Sequence, residues 1–159
     1  MSNKFNIEKE QDGDVLKLNL SGVIDEDSDL SDLLFPDHKG KLIINLKEVK
    51  RINSCGVREW VNAMETISEM EIELINCSTA IVNQINMVSN FSGNGKVTSF
   101  MAPYYCESCD AEFEIALEVD KNFPDRDYPV APSYNCPKCK NTLEFDDIED
   151  KYFLFIKRE

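Results

Sequence analysis

Four of the six cysteines fall in two matched pairs, Cys106-x-x-Cys109 and Cys136-x-x-Cys139, with residues 110–135 between them. A two-residue spacer lets both sulfurs of a pair reach one ion, and two such pairs supply the four ligands of a tetrahedral Zn²⁺ site. Cys106-Glu107-Ser108-Cys109-Asp110 and Cys136-Pro137-Lys138-Cys139-Lys140-Asn141 both read as tight turns between strands. A site closed by four protein ligands has no open position, so the expected cofactor is one structural Zn²⁺ per chain, with no catalysis at the metal. Redox dithiols or disulfides are the other uses of such pairs.

The remaining reactive side chains are sparse. Cys55 stands at the predicted start of a helix, where a thiol is activated by the helix dipole, and Cys77 follows the next predicted strand. A redox pair at one sheet edge is one reading of them. A small buried residue is the plainer reading of Cys55. His38 is the only histidine and lies in Pro36-Asp37-His38-Lys39-Gly40, a turn. Ser92-Gly93-Asn94-Gly95-Lys96 is glycine-rich but lacks phosphate-loop spacing and precedes a strand. No catalytic constellation emerges, and the chain is expected not to be an enzyme.

Charge bounds the partners. The formal net charge is −13, and residues 1–101 hold ten basic against sixteen acidic side chains. Residues 102–159 hold seven against fourteen, so both halves are acidic. Polyanions require clustered positive charge, which excludes nucleic acid and anionic membrane as expected partners. A protein surface is the more natural one. Charged residues break any leader-like apolar run in residues 1–20, and no stretch of about 18 apolar residues exists. A cytoplasmic location is therefore expected, which favours metal over disulfides.

These side chains must be held by regular elements, and the polarity pattern supplies them. Residues 4–10 and 14–20 read as strands around an Asp12-Gly13 turn, with Gly22 breaking the run. The acidic stretch 25–32 suits the start of a short helix over Leu30, Leu33 and Leu34, ended by Pro36. Leu42-Ile43-Ile44-Asn45-Leu46 reads as a central strand buried on both faces. Val57, Trp60, Val61, Met64 and Ile67 recur at helical spacing. Trp60 belongs to that stripe as core, or beside Arg58 as an interface anchor. Residues 72–75 form another strand. Ser78 caps a helix with Ile81, Val82, Ile85 and Val88 on one face, and residues 96–101 return as a strand. Strand–helix alternation implies a mostly parallel sheet. Pro103 marks the division into residues 1–101 and a small β module of residues 102–159 with its own core, in which 111–119, 142–145 and 152–157 are strands. Residues 120–135 read as an irregular loop.

Residues 42–64, above all Asn53-Ser54-Cys55-Gly56 between a buried strand and an amphipathic helix, resemble the core of STAS domains, the domains of anti-sigma factor antagonists and sulfate-transporter tails. Gly22 and the element order agree, over residues 4 to about 101. The C-terminal module is similar to zinc ribbons. The resemblance implies an α/β STAS-like fold and a non-catalytic signalling module that binds a serine-kinase-type protein partner. It places the partner surface and switch at Asn53, Ser54, Cys55, Gly56, Val57 and Arg58. In that family the hydroxyl just before the motif glycine is phosphorylated, adding about −1.5 to −2 charges at a helix N-terminus and releasing the partner. Here Cys55 occupies the acceptor position, Asn53 replaces the family's aspartate, and Ser54 is one residue off. STAS-like subunits of ATP-binding cassette lipid transporters are a second reading. A nucleic-acid-associated zinc ribbon and a thiol oxidoreductase using Cys55 are two more.

Overall fold

Alternating polarity on either side of Asp12-Gly13 folds the chain back on itself. In the computed structural model, which describes residues 4–31 and 40–158, β1 (Asn6–Asp12) pairs antiparallel with β2 (Val15–Ile24). Gly13 takes φ +58°, a left-handed conformation that costs glycine nothing. β2 does not stop at Gly22. Gly22 has φ +93°, and the β2–β3 register shifts on either side of it. A glycine here makes a bulge that bends the strand instead of ending it. The expected helix over Leu33 and Leu34, and the His38 turn, lie outside the described residues.

β3 (Lys41–Ile52) runs parallel to β2 and to β4 (Ile72–Ile75), and β4 runs parallel to β5 (Lys96–Val97). The sheet order is β1-β2-β3-β4-β5. The expected mostly parallel α/β sheet is present, with only its first pair antiparallel. Leu42, Ile44 and Leu46 of β3 are buried, whereas Ile43 and Asn45 are half-buried. One face of this central strand is thus fully covered and the other only partly, and Asn45 uses the open face to donate to the Asn19 side chain at 2.9 Å.

Two helices cross between the strands. α1 (Ser54–Thr66) buries Gly56, Trp60, Ala63 and Met64, and α2 (Thr79–Met87) buries Ile81, Val82 and Ile85. The Ser78 hydroxyl caps α2 by accepting from the Ile81 N–H at 3.4 Å. Trp60 is core: it is fully buried, stacks on Phe91 at 5.6 Å, and donates its indole N–H to the Phe91 carbonyl.

Residues 96–101 divide between two sheets. β5 completes the parallel sheet, and β6 (Ser99–Cys106) starts a second one, pairing antiparallel with β7 (Ala111–Glu118) and β8 (Glu144–Phe145). Pro103 sits inside β6 without interrupting it, so the division expected at residue 101 falls within a strand. Bonds from Cys77 N–H to the Ser99 carbonyl and from Met101 N–H to the Cys77 carbonyl tie the second sheet to the end of β4. A short α3 (Val119–Asn122) opens the otherwise irregular stretch to residue 135.

The strand expected over residues 152–157 is helical. Its residues form α4 (Glu149–Tyr152) and α5 (Leu154–Arg158). The burial pattern gives the reason. Tyr152, Phe153, Phe155 and Ile156 are buried while Leu154 and Lys157 are exposed, a spacing of one, three and four that matches a helical turn. These aromatics surround Phe100 of β6, with Phe155 edge-on at 5.2 Å and Phe123 stacked at 5.8 Å. One buried cluster runs from Leu16 to Ile156 across both sheets. Among the described residues no helix is long and apolar enough to cross a membrane.

Candidate metal centre and the start of helix α1

The two cysteine pairs converge between the ends of β6, β7 and β8. Cys106 ends β6, Cys109 precedes β7, and Cys136 and Cys139 lie in the turn before β8. Their sulfurs all lie within 4.8 Å of one another, with Cys106 Sγ to Cys139 Sγ at 3.5 Å and Cys109 Sγ to Cys136 Sγ at 3.9 Å. Sulfurs at about 2.3 Å around a tetrahedral ion stand about 3.8 Å apart, so this donor set fits one metal ion. Both turns use the same backbone device. The residue after each second cysteine, Asp110 (φ +49°) and Lys140 (φ +67°), takes a left-handed conformation. That reversal closes each loop, and in the second one the Lys140 N–H reaches the Cys136 carbonyl at 2.9 Å. Asp110 also accepts the Tyr105 hydroxyl at 2.6 Å, which holds that phenol's pKa up at about 12.

Three of the clustered thiols, Cys136, Cys109 and Cys106, are shifted from the ordinary thiol range. The Cys139 N–H, followed by that of Lys138, holds Cys136 down at about 7 by bonding its sulfur. Cys109 is pushed up to about 12, first by its contact with the Cys139 thiol and then by desolvation. Cys106 gains stabilisation of its anion from the Cys109 N–H, yet desolvation and the sulfurs of Cys139 and Cys136 outweigh it and raise its pKa. One sulfur therefore ionises readily and makes the next ionisation harder. A divalent cation among them would relieve that repulsion.

The second candidate site, Asn53 to Arg58, is assembled by the ends of β2 and β3. Asn53 caps α1: its side-chain oxygen accepts from the Gly56 N–H at 2.8 Å, and its amide donates to Glu26 Oε2 at 2.8 Å. That bond holds the Glu26 carboxyl below the ordinary carboxylate range. Gly56 is buried against β2, where an added Cβ would stand 2.2 Å from the Ile24 carbonyl oxygen. The helix start is therefore seated directly on the β2 backbone. Around that seat Asn53, Ser54 and Arg58 are exposed, and Cys55 and Val57 are half-buried. Of the six residues at the head of α1, five are thus at least partly accessible, and Gly56 is the buried contact that seats them. Cys77, by contrast, is fully buried.

Sequence reasoning missed what lies beside the head of α1. A groove of about 760 Å³ runs from Ile52 and Asn53 along α2 to Lys151 and Tyr152 of α4. No periodicity could mark it, because its walls come from four segments far apart in the chain. Against known proteins, no family model matches the chain, and no curated protein matches it.

Proposed function

We propose that the protein is a non-catalytic regulatory module that binds another protein through the head of α1, with a structural Zn²⁺ holding its C-terminal sheet. The carrying observation is the way Asn53 to Arg58 are presented. Asn53 caps the helix and Gly56 is wedged on Ile24, which together display Ser54, Cys55 and Arg58 on a fixed backbone. The resemblance of this stretch to STAS domains makes an anti-sigma-type serine kinase the expected partner class. Zinc is the expected metal because four thiolates in a closed set are its common structural environment. The acidic balance argues against nucleic acid as the partner.

Position 55 decides how such a partner would be released. A thiol is no substrate for a serine kinase, and adjacent positions at a helix start point about 100° apart, so Ser54 presents poorly to a kinase built for its neighbour. Wild-type protein should then stay bound in the presence of ATP. The test begins with affinity purification from the native host and identification of the partner by mass spectrometry. Incubation with that partner and ATP should leave the intact mass of the wild type unchanged, and Cys55→Ser should gain one phosphate. Cys55→Glu should weaken binding at least tenfold. Unchanged affinity in both Cys55→Glu and Arg58→Glu would remove the head of α1 as the interface.

A further inference from the structure

We propose that the groove over the C-terminal ends of β2 and β3 binds a small amphipathic anion, a molecule with an apolar body and a single negatively charged head group. This goes beyond the partner reading and does not depend on it. The groove encloses about 760 Å³, within the range of roughly 300–1,000 Å³ typical of small-ligand sites. It opens at the carboxyl ends of the parallel strands β2 and β3, where Val23, Arg51 and Ile52 line it. Its walls are apolar at Ile52, Ala80, Met87 and Tyr152. Met87, the last residue of α2, is 70% exposed.

The charge of the lining runs against that of the molecule. On a chain of net charge −13, the groove has two cations, Arg51 from β3 and Lys151 from α4, against one acid, Asp147. Neither cation makes an ion pair within 4.0 Å among the described residues. Arg51 also lines the neighbouring cleft beside Asp25, Asp27 and Asp29, so Lys151 is the cleaner anchor for a negative head group. The far wall is preformed. The Tyr152 hydroxyl donates to the Met101 carbonyl at 2.5 Å, and its own carbonyl accepts from the Asn86 amide at 2.9 Å. A wall fixed in advance spares a ligand the cost of ordering it. The apolar body would lie along α2 toward Met87, with the head group at Lys151.

The experiment titrates the ¹⁵N-labelled full chain by NMR with dodecanoate, with dodecyltrimethylammonium and with acetate, each below its micellar concentration. Dodecanoate should shift amides of residues 51–53, 80–87 and 147–152 and saturate. The cation of equal chain length and acetate should leave these amides in place. Lys151→Glu should weaken dodecanoate binding at least tenfold, and Met87→Asp, at an exposed position that leaves the core intact, should weaken it severalfold. Equal responses to the anionic and cationic chains would overturn the proposal. So would shifts spread over the exposed Tyr128 and Val130, outside the groove, or dodecanoate binding that Lys151→Glu and Met87→Asp both leave unchanged.

Discussion

At Gly56 the chain has no room for a single methyl group. The Ile24 carbonyl oxygen would meet an added Cβ at 2.2 Å, and it belongs to backbone that cannot swing aside. Gly56→Ala should therefore destabilise the protein by about 1–3 kcal/mol or more, by pushing α1 off β2. Asn53→Ala should cost about 1 kcal/mol, the usual loss of a helix cap. Urea unfolding of both variants checks the order. If Gly56→Ala were as stable as wild type, the seat of α1 on β2 would be wrong. The glycine was visible in the sequence as part of a short motif. Its reason was not, because the atom that forbids a side chain sits thirty-two positions earlier.

The elements that meet at the metal centre are short. β8 has two residues, and beside the cysteines only Leu143 of the stretch just before it is buried, so an ion bound by the four sulfurs would do much of the holding. A strong chelator should raise amide exchange rates in residues 104–113 and 134–145 by at least an order of magnitude. Elemental analysis should give one Zn²⁺ per chain before treatment. Affinity should also fall as pH falls, because protons compete for thiolates that the metal requires. With Cys136 near 7 and Cys109 near 12, more than one proton leaves on binding at neutral pH. The affinity should then drop by more than tenfold for each pH unit below about 7, measured by competition with a chromophoric chelator. A flat profile would mean that fewer thiolates bind than the geometry provides. Here the meeting of the four cysteines was legible in the sequence, since CxxC spacing is a local property and the loop between the pairs only needs to let them meet.

At the scale of the whole molecule the decisive residue is Phe100. It stands at the start of β6 against Phe123, Tyr152, Phe153 and Phe155, while Asn86 of α2 donates to the Tyr152 carbonyl and accepts from the Phe155 N–H. The two sheets thus share their buried interior. A chain ending at residue 101 would leave Phe100, Ile85 and Asn86 without cover. That fragment should lack a cooperative thermal transition by circular dichroism, and Phe100→Ala in the full chain should cost about 3–5 kcal/mol in a single unfolding step. A fragment of residues 1–101 that melts cooperatively near the full-length midpoint would instead restore two independent units.

What the sequence determined alone is whatever neighbours within a few residues decide. The cysteine turns, the Ser78 cap, the α1 stripe and the parallel order of β2, β3 and β4 all follow from spacing and period. The tertiary structure decided the rest. Residues 152–157 are aromatic-rich, and such a run suits a strand or a helix almost equally. Packing against Phe100 selected the helix, because its burial pattern covers a ring cluster contributed by other segments. Pro103 looked like a boundary because it stands just before the first cysteine turn, yet β6 carries it within a continuous ladder with β7. The groove beside the head of α1 exists only where β2, β3, α2 and α4 converge, and its walls share no local pattern.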